Sequence, residues 1–322
     1  METILIVGGA GYIGCHTTLL LWQHGYKIIV LDDYLNGKYP PLPWAHIIHG
    51  NMANTELLNT IFLEHSIKAV IHLAASINIA ESVSAPLVYY ENNLANTINV
   101  LHCMIRHNVH QIVFASTAAV YGMPDTVPIA ESATCKPITP YGMSKYMCEQ
   151  IIQDLHRAYG LQSVILRFFN VAGAHQTEDL SMFYTSKTHL IPLLFHATMS
   201  EKPFNIFGTT HQTIDGSCVR DYVHVMDVAQ AHLKALIFLK NGGQQLIANI
   251  ASGHGTSVKE VIKTTEQYLH LPARIIEQQS RSSDPAQLVA NIDQAQNTLF
   301  WRPERSNISY ILETFGRFFL SA

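Results

Sequence analysis

Short apolar runs alternate with longer amphipathic segments through the first half of the chain. The apolar runs are ILIV at 4–7, KIIVL at 27–31, AVIHLA at 69–74, QIVFAS at 111–116 and SVILRFFN at 163–170. The segments with helical periodicity are 13–24, 54–64, 92–107 and 141–159. Buried strands separated by helices of this length predict an α/β fold with a doubly wound parallel sheet.

The regular alternation ends near residue 170. Residues 174–188 are polar and irregular, and shorter elements follow to the end of the chain. This change predicts a first domain at 1–172 and a smaller α/β substrate-binding lobe at 173–322. We expect residues 218–240 to pack back on the first domain.

A glycine-rich turn joins the first strand to the first helix. Gly8, Gly11 and Gly14 follow ILIV directly, and Asp32 ends the second strand 18 residues after Gly14. In a Rossmann fold such glycines let the backbone approach a pyrophosphate at the helix N-terminus. A carboxylate at the second strand accepts hydrogen bonds from the adenosine ribose, which favours NAD over NADP. The pattern predicts an NAD site, and the alternative is a glycine-rich turn without a ligand.

Polar side chains follow the QIVFAS strand, at the sheet edge where ligands bind in open parallel sheets. Ser116 and Thr117 end this strand, and Tyr141 and Lys145 lie on one face of a later helix. Lys145 and an oxidised nicotinamide are expected to lower the pKa of Tyr141, so that the phenolate accepts a proton. The alternative is a solvated polar pair, because the same Tyr–Lys spacing occurs at Tyr34 and Lys38.

Composition excludes several classes of function. The 322 residues are 48% hydrophobic and carry a net charge of -4, which provides no basic surface for nucleic acid or an anionic membrane. Five dispersed cysteines and eighteen scattered histidines predict neither a disulfide framework nor a metal site. The acidic start and the absence of a long apolar run predict a cytoplasmic protein.

The motifs together resemble the extended short-chain dehydrogenase/reductase family and, within it, the UDP-glucose 4-epimerases. The similar stretches span the chain in the expected order: GGAGYIG, VIHLAA, ESVSAPLVYYENN, ASTAAVYG, PYGMSK, RFFNVAGAH, HLIP, DGSCVRDYVHVMDVA and LFWRP. The combination of CVRDYVHVMD with PYGMSK is specific. The resemblance implies a tightly bound NAD that is regenerated within each turnover, and a UDP-sugar substrate.

The resemblance also implies roles for individual residues. Tyr141 takes the proton of the sugar 4-hydroxyl, Thr117 hydrogen-bonds the reacting oxygen, and Lys145 holds the nicotinamide ribose. The implied cofactor contacts are Gly8, Gly11, Tyr12, Ile13, Gly14, Asp32, Asn36, Asn51, Met52, Leu73, Ala74, Ala75, Asn92, Ser116, Tyr141, Lys145 and Phe168. The implied substrate contacts are Thr117, Tyr141, Asn170, His189, Leu190, Phe207, Arg220, Arg281, Asp284 and Leu288.

Two of these assignments have structural alternatives. An arginine such as Arg220 suits a diphosphate, because its guanidinium offers a fork of donors, but it could instead form a buried ion pair with Asp221 or Asp227. Phe207 could be a core aromatic rather than a platform for the base.

Several positions depart from the family pattern. Ala118 and Ala119 stand where related dehydratases carry an Asp-Glu pair, which argues against water elimination. Asn51 replaces the usual Asp near the adenine. Ile77 and Phe168 each remove a polar contact near the cofactor.

Leu288 lies where relatives differ in bulk beside the sugar, and a leucine there suggests tolerance of UDP-GlcNAc. Three functions therefore stay open: a 4-epimerase of UDP-hexoses, a 4-epimerase of another nucleotide sugar such as UDP-GlcNAc or a UDP-uronate, and a non-catalytic NAD or nucleotide-sugar sensor. The resemblance also implies a homodimer formed through the helix at 92–107 and the helix that Tyr141 begins.

Overall fold

The computed structural model describes residues 1–35, 42–175, 180, 189–280 and 285–320. In chain order its strands are β1 (Thr3–Val7), β2 (Lys27–Asp32), β3 (Ala45–His49), β4 (Ile67–His72), β5 (Gln111–Thr117), β6 (Gln162–Phe168), β7 (Asn170–Ala172), β8 (Phe204–Phe207), β9 (Val219–His224), β10 (Gln245–Ile250), β11 (Gly255–Ser257), β12 (Ile275–Gln278) and β13 (Gln287–Leu288). Its α-helices are α1 (Tyr12–Gln23), α2 (Thr55–Glu64), α3 (Ile79–Ser84), α4 (Pro86–Tyr89), α5 (Asn96–Arg106), α6 (Pro140–Tyr159), α7 (Leu190–Met199), α8 (Val225–Lys240), α9 (Val258–Leu269), α10 (Asp293–Thr298) and α11 (Ile308–Phe319). A π-helix covers Tyr90–Ala95 and a 3₁₀ turn covers Ala118–Tyr121.

The predicted doubly wound parallel sheet is confirmed. Seven parallel strands lie in the order β10-β6-β5-β4-β1-β2-β3. The order reverses beside β1, which is where ligands bind in folds of this kind. The glycine loop after β1 therefore lies at the expected crevice.

Helices cover both faces of this sheet because alternate residues of each strand point to opposite sides. Ile4 and Ile6 of β1 pack with α1 and α8 in one core. Leu5 and Val7 pack with α2, α5 and α6 in the other. Both faces of the sheet are buried, and for this reason the sequences of its central strands are continuous apolar runs.

Two strands of the large sheet were not predicted from the sequence. β3 alternates half-buried and exposed residues at an edge of the sheet, so its sequence AHIIH contains polar positions. β10 comes from far along the chain and pairs with β6. The predicted strand at 163–170 also ends earlier, at Phe168, and β7 then pairs with β9 instead.

The later part of the chain builds a second, smaller group of elements. β11, β9 and β13 form a sheet to which β7 adds, and β8 pairs with β12. α7, α9 and α11 pack with Tyr222 and Phe204 in a separate core. α8 packs on α1, and β10 belongs to the large sheet. The boundary predicted at residue 172 between the first domain and the substrate-binding lobe stays a prediction.

Candidate active site

The glycine loop is shaped by contacts that leave no space for side chains. Gly8 has a φ of +80°, and a Cβ there would lie 2.5 Å from the backbone nitrogen of Ala74. A Cβ on Gly14 would lie 2.5 Å from the Gly8 carbonyl oxygen. A Cβ on Gly11 would instead meet only that carbonyl oxygen, at 3.5 Å. The loop thus packs tightly at Gly8 and Gly14 and is open at Gly11, which is the N-cap residue of α1.

Asp32 closes the loop from the end of β2. Its carboxylate accepts hydrogen bonds from the backbone N–H of Ala10 at 2.9 Å and of Tyr34 at 3.0 Å. Burial raises the pKa of this carboxyl, and the neighbouring Asp33 raises it further, while the two N–H donors lower it. A carboxylate oxygen has more than one lone pair, so Asp32 can also accept from a ribose hydroxyl.

Asn51 occupies a defined orientation beside Asp33. Its side-chain oxygen accepts the N–H of Ala53 at 2.7 Å, so its amide group faces Asp33 and donates to Oδ2 at 2.6 Å. An aspartate at position 51 has no N–H to donate and would place a second carboxylate against Asp33. The departure from the family pattern at residue 51 therefore matches the local charge.

We expect Asn51→Asp to lower the free energy of unfolding by about 1 kcal/mol, because one hydrogen bond is lost and two carboxylates face each other. Urea unfolding at neutral pH measures the change. The double variant Asp33→Asn/Asn51→Asp should recover most of the loss, because the amide at position 33 can then donate to the carboxylate at position 51. Equal stability of Asn51→Asp and the wild type would contradict this account.

The segment after β4 forms the next wall of the crevice. The backbone N–H groups of Leu73 and Ala74 both donate to the Val7 carbonyl, and Ala75 follows them. Asn92 lies in the π-helix and donates to the Ser76 hydroxyl at 3.1 Å. Isolated π-turns are frequent at functional sites. Ile77 is 54% exposed beside this wall.

The other predicted cofactor residues lie around the same loop or in its supporting core. The Tyr12 hydroxyl donates to the Gly173 carbonyl at 2.6 Å, and Ile13 packs on the core under α1. Met52 is buried between β2 and α2. Phe168 is 7% exposed and packs against His232 of α8. Asn36 lies outside the described residues.

Thr117, Tyr141 and Lys145 meet at the end of β5. Thr139 caps α6 by accepting the N–H of Gly142 at 3.2 Å, which sets the first turn where Tyr141 lies. The Thr117 hydroxyl lies beside the Tyr141 phenol, within reach of a hydrogen bond that lowers the phenol pKa. One turn further along α6, Lys145 is buried with its ammonium 4.3 Å from the centre of the Phe114 ring. The predicted convergence at this sheet edge is therefore present.

The predicted lowering of the Tyr141 pKa, which depends on Lys145 and an oxidised nicotinamide together, stays a prediction. Burial raises the pKa of the Tyr141 phenol above its ordinary value, and the hydrogen bond with Thr117 opposes this rise. Burial also lowers the pKa of Lys145 to about 8, while Cys148 and Glu149 act in the opposite direction. A phenol at such a dry site needs a further positive charge before it can ionise near neutral pH.

Two residues that the sequence reasoning missed support this group. The ring of Tyr89 meets Tyr141 edge-on at 6.4 Å, and its hydroxyl donates to the Asn78 carbonyl at 2.6 Å. His72 is fully buried, and burial, with a smaller contribution from Lys145, lowers its pKa to about 3, so it stays neutral. The sequence signal for His72 was a histidine inside the otherwise apolar run AVIHLA.

The predicted substrate residues lie on the smaller group of elements. Arg220 and Leu288 are register partners on β9 and β13, and Asn170 begins β7, which pairs with a later part of β9. Phe207 ends β8, half-buried. His189 is the N-cap residue of α7, and Leu190 begins that helix. Arg281 and Asp284 lie outside the described residues.

Arg220 directs hydrogen bonds to backbone carbonyls. Its guanidinium donates to Val219 at 2.9 Å and to Pro285 at 2.8 Å. The two carboxylates considered as ion-pair partners accept from other groups: Asp221 from Ser252, Gly253 and Ala290, and Asp227 from Arg305 and Ser306. None of the bonds listed for these two carboxylates comes from Arg220.

The described residues lack the groups that several other classes of site require. Ala118 is buried in the 3₁₀ turn and Ala119 follows it, so neither offers a carboxylate next to Thr117. No group of three or more His, Cys, Asp or Glu in the described ranges could hold a metal ion. All five cysteines are free thiols. None of the helices in the described part of the chain has the length and apolar character of a membrane span.

The crevice fits a dinucleotide. The tight packing at Gly8 and Gly14 holds the loop, the open side of Gly11 admits a phosphate at the N-terminus of α1, and Asp32 faces the adjoining strand end. Thr117, Tyr141 and Lys145 then stand at the opposite part of the same sheet edge.

Comparison with known proteins agrees with this arrangement. Residues 4–251 match the NAD dependent epimerase/dehydratase family. The UDP-glucose 4-epimerase of Azospirillum brasilense is 42% identical over 315 residues, which are 97% of this chain and 90% of that protein. The crystal structure of UDP-glucose 4-epimerase from Brucella ovis in complex with NAD is similar with a TM-score of 0.92 and 33% identity, covering 99% of this chain and 98% of that one. The Bifidobacterium longum enzyme in complex with NAD+ and UDP has a TM-score of 0.91 and 32% identity, with coverage of 99% and 98%.

Proposed function

Because the chain belongs to the NAD dependent epimerase/dehydratase family, we propose that Thr117, Tyr141 and Lys145 carry out its reaction. The reaction is the NAD-dependent 4-epimerisation of UDP-hexoses, which interconverts UDP-galactose and UDP-glucose through a transient 4-keto sugar. The observation that carries the assignment of the site is the position of Thr117 beside Tyr141, with Lys145 one turn further along α6, at the same sheet edge as the glycine loop.

Each of the three side chains has a distinct task. Bound NAD would supply the hydride acceptor and donor for C4 of the sugar. Tyr141 accepts the proton of the 4-hydroxyl and later gives it back. Thr117 holds the reacting oxygen, because its hydroxyl already bonds to the phenol. Lys145, whose ammonium is buried on the same helix face, holds the nicotinamide ribose and adds positive charge beside Tyr141.

The remaining site residues bind the two ligands. Asp32 accepts from the adenosine ribose hydroxyls, and the turn at Gly11 faces the pyrophosphate. The Arg220 guanidinium and the predicted Arg281 hold the diphosphate of the UDP-sugar, since each offers a fork of donors. Asn170 and Leu288 border the sugar from β7 and β13, which both pair with β9.

The other functions considered above are less well supported. Ala118 and Ala119 supply no acid or base for elimination. A sensor without catalysis has no need of a buried lysine next to a hydrogen-bonded phenol, because burying an ammonium is costly. The similar proteins are named as epimerases, so neither the sensor nor another nucleotide sugar as the main substrate is favoured.

A single incubation tests the proposal. Purified protein is mixed with UDP-galactose without added cofactor, and the nucleotide sugars are separated at intervals. Formation of UDP-glucose supports both the reaction and the retention of NAD. Formation only after NAD is added supports the reaction but not the retention, and no product in either case overturns the assigned reaction.

We propose that Leu288 permits turnover of UDP-GlcNAc, because a leucine at the edge of β13 lacks the ring and hydroxyl of a tyrosine. We expect Leu288→Tyr to lower kcat/KM for UDP-GlcNAc by about tenfold or more and to change that for UDP-galactose much less. The ratio of the two values is the measurement. Equal rejection of UDP-GlcNAc by the wild type and the variant would exclude this role of Leu288.

We further propose that the protein is a cytoplasmic homodimer joined through α5 and α6. Tyr146, Met147 and Gln150 of α6 are half-buried or exposed in the single chain, with Met147 37% exposed. Size-exclusion chromatography with light scattering distinguishes a dimer of this 36.0 kDa chain from a monomer.

A further inference from the structure

A buried ion pair lies directly behind the reacting side chains. Glu149 of α6 and Arg167 of β6 form two parallel hydrogen bonds, from Nε to Oε1 at 3.1 Å and from Nη2 to Oε2 at 2.7 Å. Glu149 has no exposed surface and Arg167 is 3% exposed. Arg167 interrupts the buried apolar run of β6, and Glu149 faces it from the buried side of α6, so the fork is a polar feature inside the core.

The pair holds the chain on both sides of Thr117. Ser116, which precedes it and is the register partner of Arg167, donates its hydroxyl to Glu149 Oε1. Tyr121, which ends the 3₁₀ turn after it, accepts from Arg167 Nη1 at 2.9 Å. The backbone position of Thr117 is thus fixed by two side-chain bonds that lead to the same pair.

Glu149 connects the pair to α6, the helix that carries Tyr141 and Lys145. Tyr141, Lys145 and Glu149 are spaced by four residues and share one face of α6. A shift of α6 relative to β5 would therefore also disturb the hydrogen bond between Ser116 and Glu149. The Tyr121 hydroxyl continues the connection by donating to Asn249 at 2.7 Å, and Asn249 donates to the Asn291 carbonyl, close in sequence to Leu288.

We infer that the Glu149–Arg167 pair is a positioning device for the epimerisation, which holds Thr117 on β5 at hydrogen-bond distance from Tyr141 on α6. The inference rests on the proposed roles of Thr117 and Tyr141. Stability alone does not require a charged pair at this place, because well-packed apolar residues of similar volume are often as stable as a buried ion pair. The directional fork supplies what apolar packing lacks, a fixed distance between two elements.

The test replaces both partners together. A single substitution leaves a buried charge without its partner and destabilises the protein strongly, so Glu149→Leu/Arg167→Met is the informative variant. We expect it to fold, with a melting temperature close to that of the wild type, and to bind NAD normally. Its KM for UDP-galactose should stay within about threefold, whereas kcat should fall by about 10²-fold, the effect of misplaced reacting groups.

The matched control removes an ion pair from the exposed side of the same helix. Asp154 and Arg157 form a pair in which both side chains are well exposed, and Asp154→Asn should leave kcat and KM unchanged. A double variant that folds and keeps the wild-type kcat would overturn the positioning role. The positioning role would also be overturned if kcat fell only in proportion to the fraction of unfolded protein.

The same assay separates this inference from the proposed function. If the wild type does not interconvert the two UDP-hexoses, the proposed function fails. If the wild type is active and Tyr141→Phe is inactive, but the double variant turns over normally, only the positioning role fails.

Discussion

Tyr141→Phe is expected to lower kcat for UDP-galactose by about 10²- to 10⁴-fold and to leave NAD binding intact. The substitution removes the phenol oxygen that bonds to Thr117 and keeps the ring that packs edge-on against Tyr89. The site then lacks a group that can accept the proton of the 4-hydroxyl. NAD binding is expected to survive, because the substitution leaves the contacts proposed for the glycine loop and Asp32 unchanged.

Steady-state kinetics and NAD titration by quenching of protein fluorescence measure the two effects. Tyr159→Phe is the matched control, because Tyr159 ends the same helix and is 57% exposed. It should show wild-type turnover. If Tyr141→Phe kept more than about a tenth of the wild-type kcat, another group would be the base.

The catalytic assignment could be predicted because it depends on topology. Thr117 ends a buried strand and Tyr141 begins the next helix, and the carboxyl edge of a parallel sheet brings such positions together. The other Tyr–Lys pair in the sequence, Tyr34 and Lys38, follows β2 at the adenosine end, and Lys38 lies outside the described residues. Spacing alone did not distinguish the two pairs, whereas position in the sheet did.

Other features depend on burial or on distant pairing, which a single sequence does not display. Burial raises the pKa of the Tyr141 phenol in the folded chain, and the spacing of Tyr141 and Lys145 in the sequence does not display this effect. β10 joins the large sheet from about 80 residues beyond β6. In the sequence, Glu149 and Arg167 are two ordinary charged residues. Only the fold brings Arg167 Nη2 to 2.7 Å from Glu149 Oε2.

The glycine loop also shows how far a motif can be read from its sequence. The spacing of Gly8, Gly11 and Gly14 predicts a dinucleotide loop but treats the three residues alike. The structure separates them, since a Cβ is blocked by backbone atoms at Gly8 and Gly14 and meets only one atom at contact distance at Gly11. Gly8 and Gly14 therefore serve the fold of the loop, and Gly11 is available to serve the ligand.

We expect Gly14→Ala and Gly11→Ala to fail in different ways. At Gly14 the new Cβ would stand 2.5 Å from the Gly8 carbonyl oxygen and 2.7 Å from the Gly9 backbone. Backbone atoms cannot move away cheaply, so the free energy of unfolding of the NAD-free protein should fall by about 1–3 kcal/mol. NAD binding should weaken as well, because α1 is displaced from β1.

At Gly11 the new methyl group meets no blocking atom of the chain, since its nearest neighbour lies at 3.5 Å. The stability of the NAD-free protein should therefore stay within about 1 kcal/mol of the wild type, the range for an N-cap change. The methyl group would stand in the space proposed for the pyrophosphate, so the Kd for NAD should rise by at least about tenfold. Thermal unfolding of the nucleotide-free variants and NAD titration give the two values. Wild-type affinity in Gly11→Ala would mean that the pyrophosphate does not approach α1 through this glycine, and the NAD site would have to be placed differently.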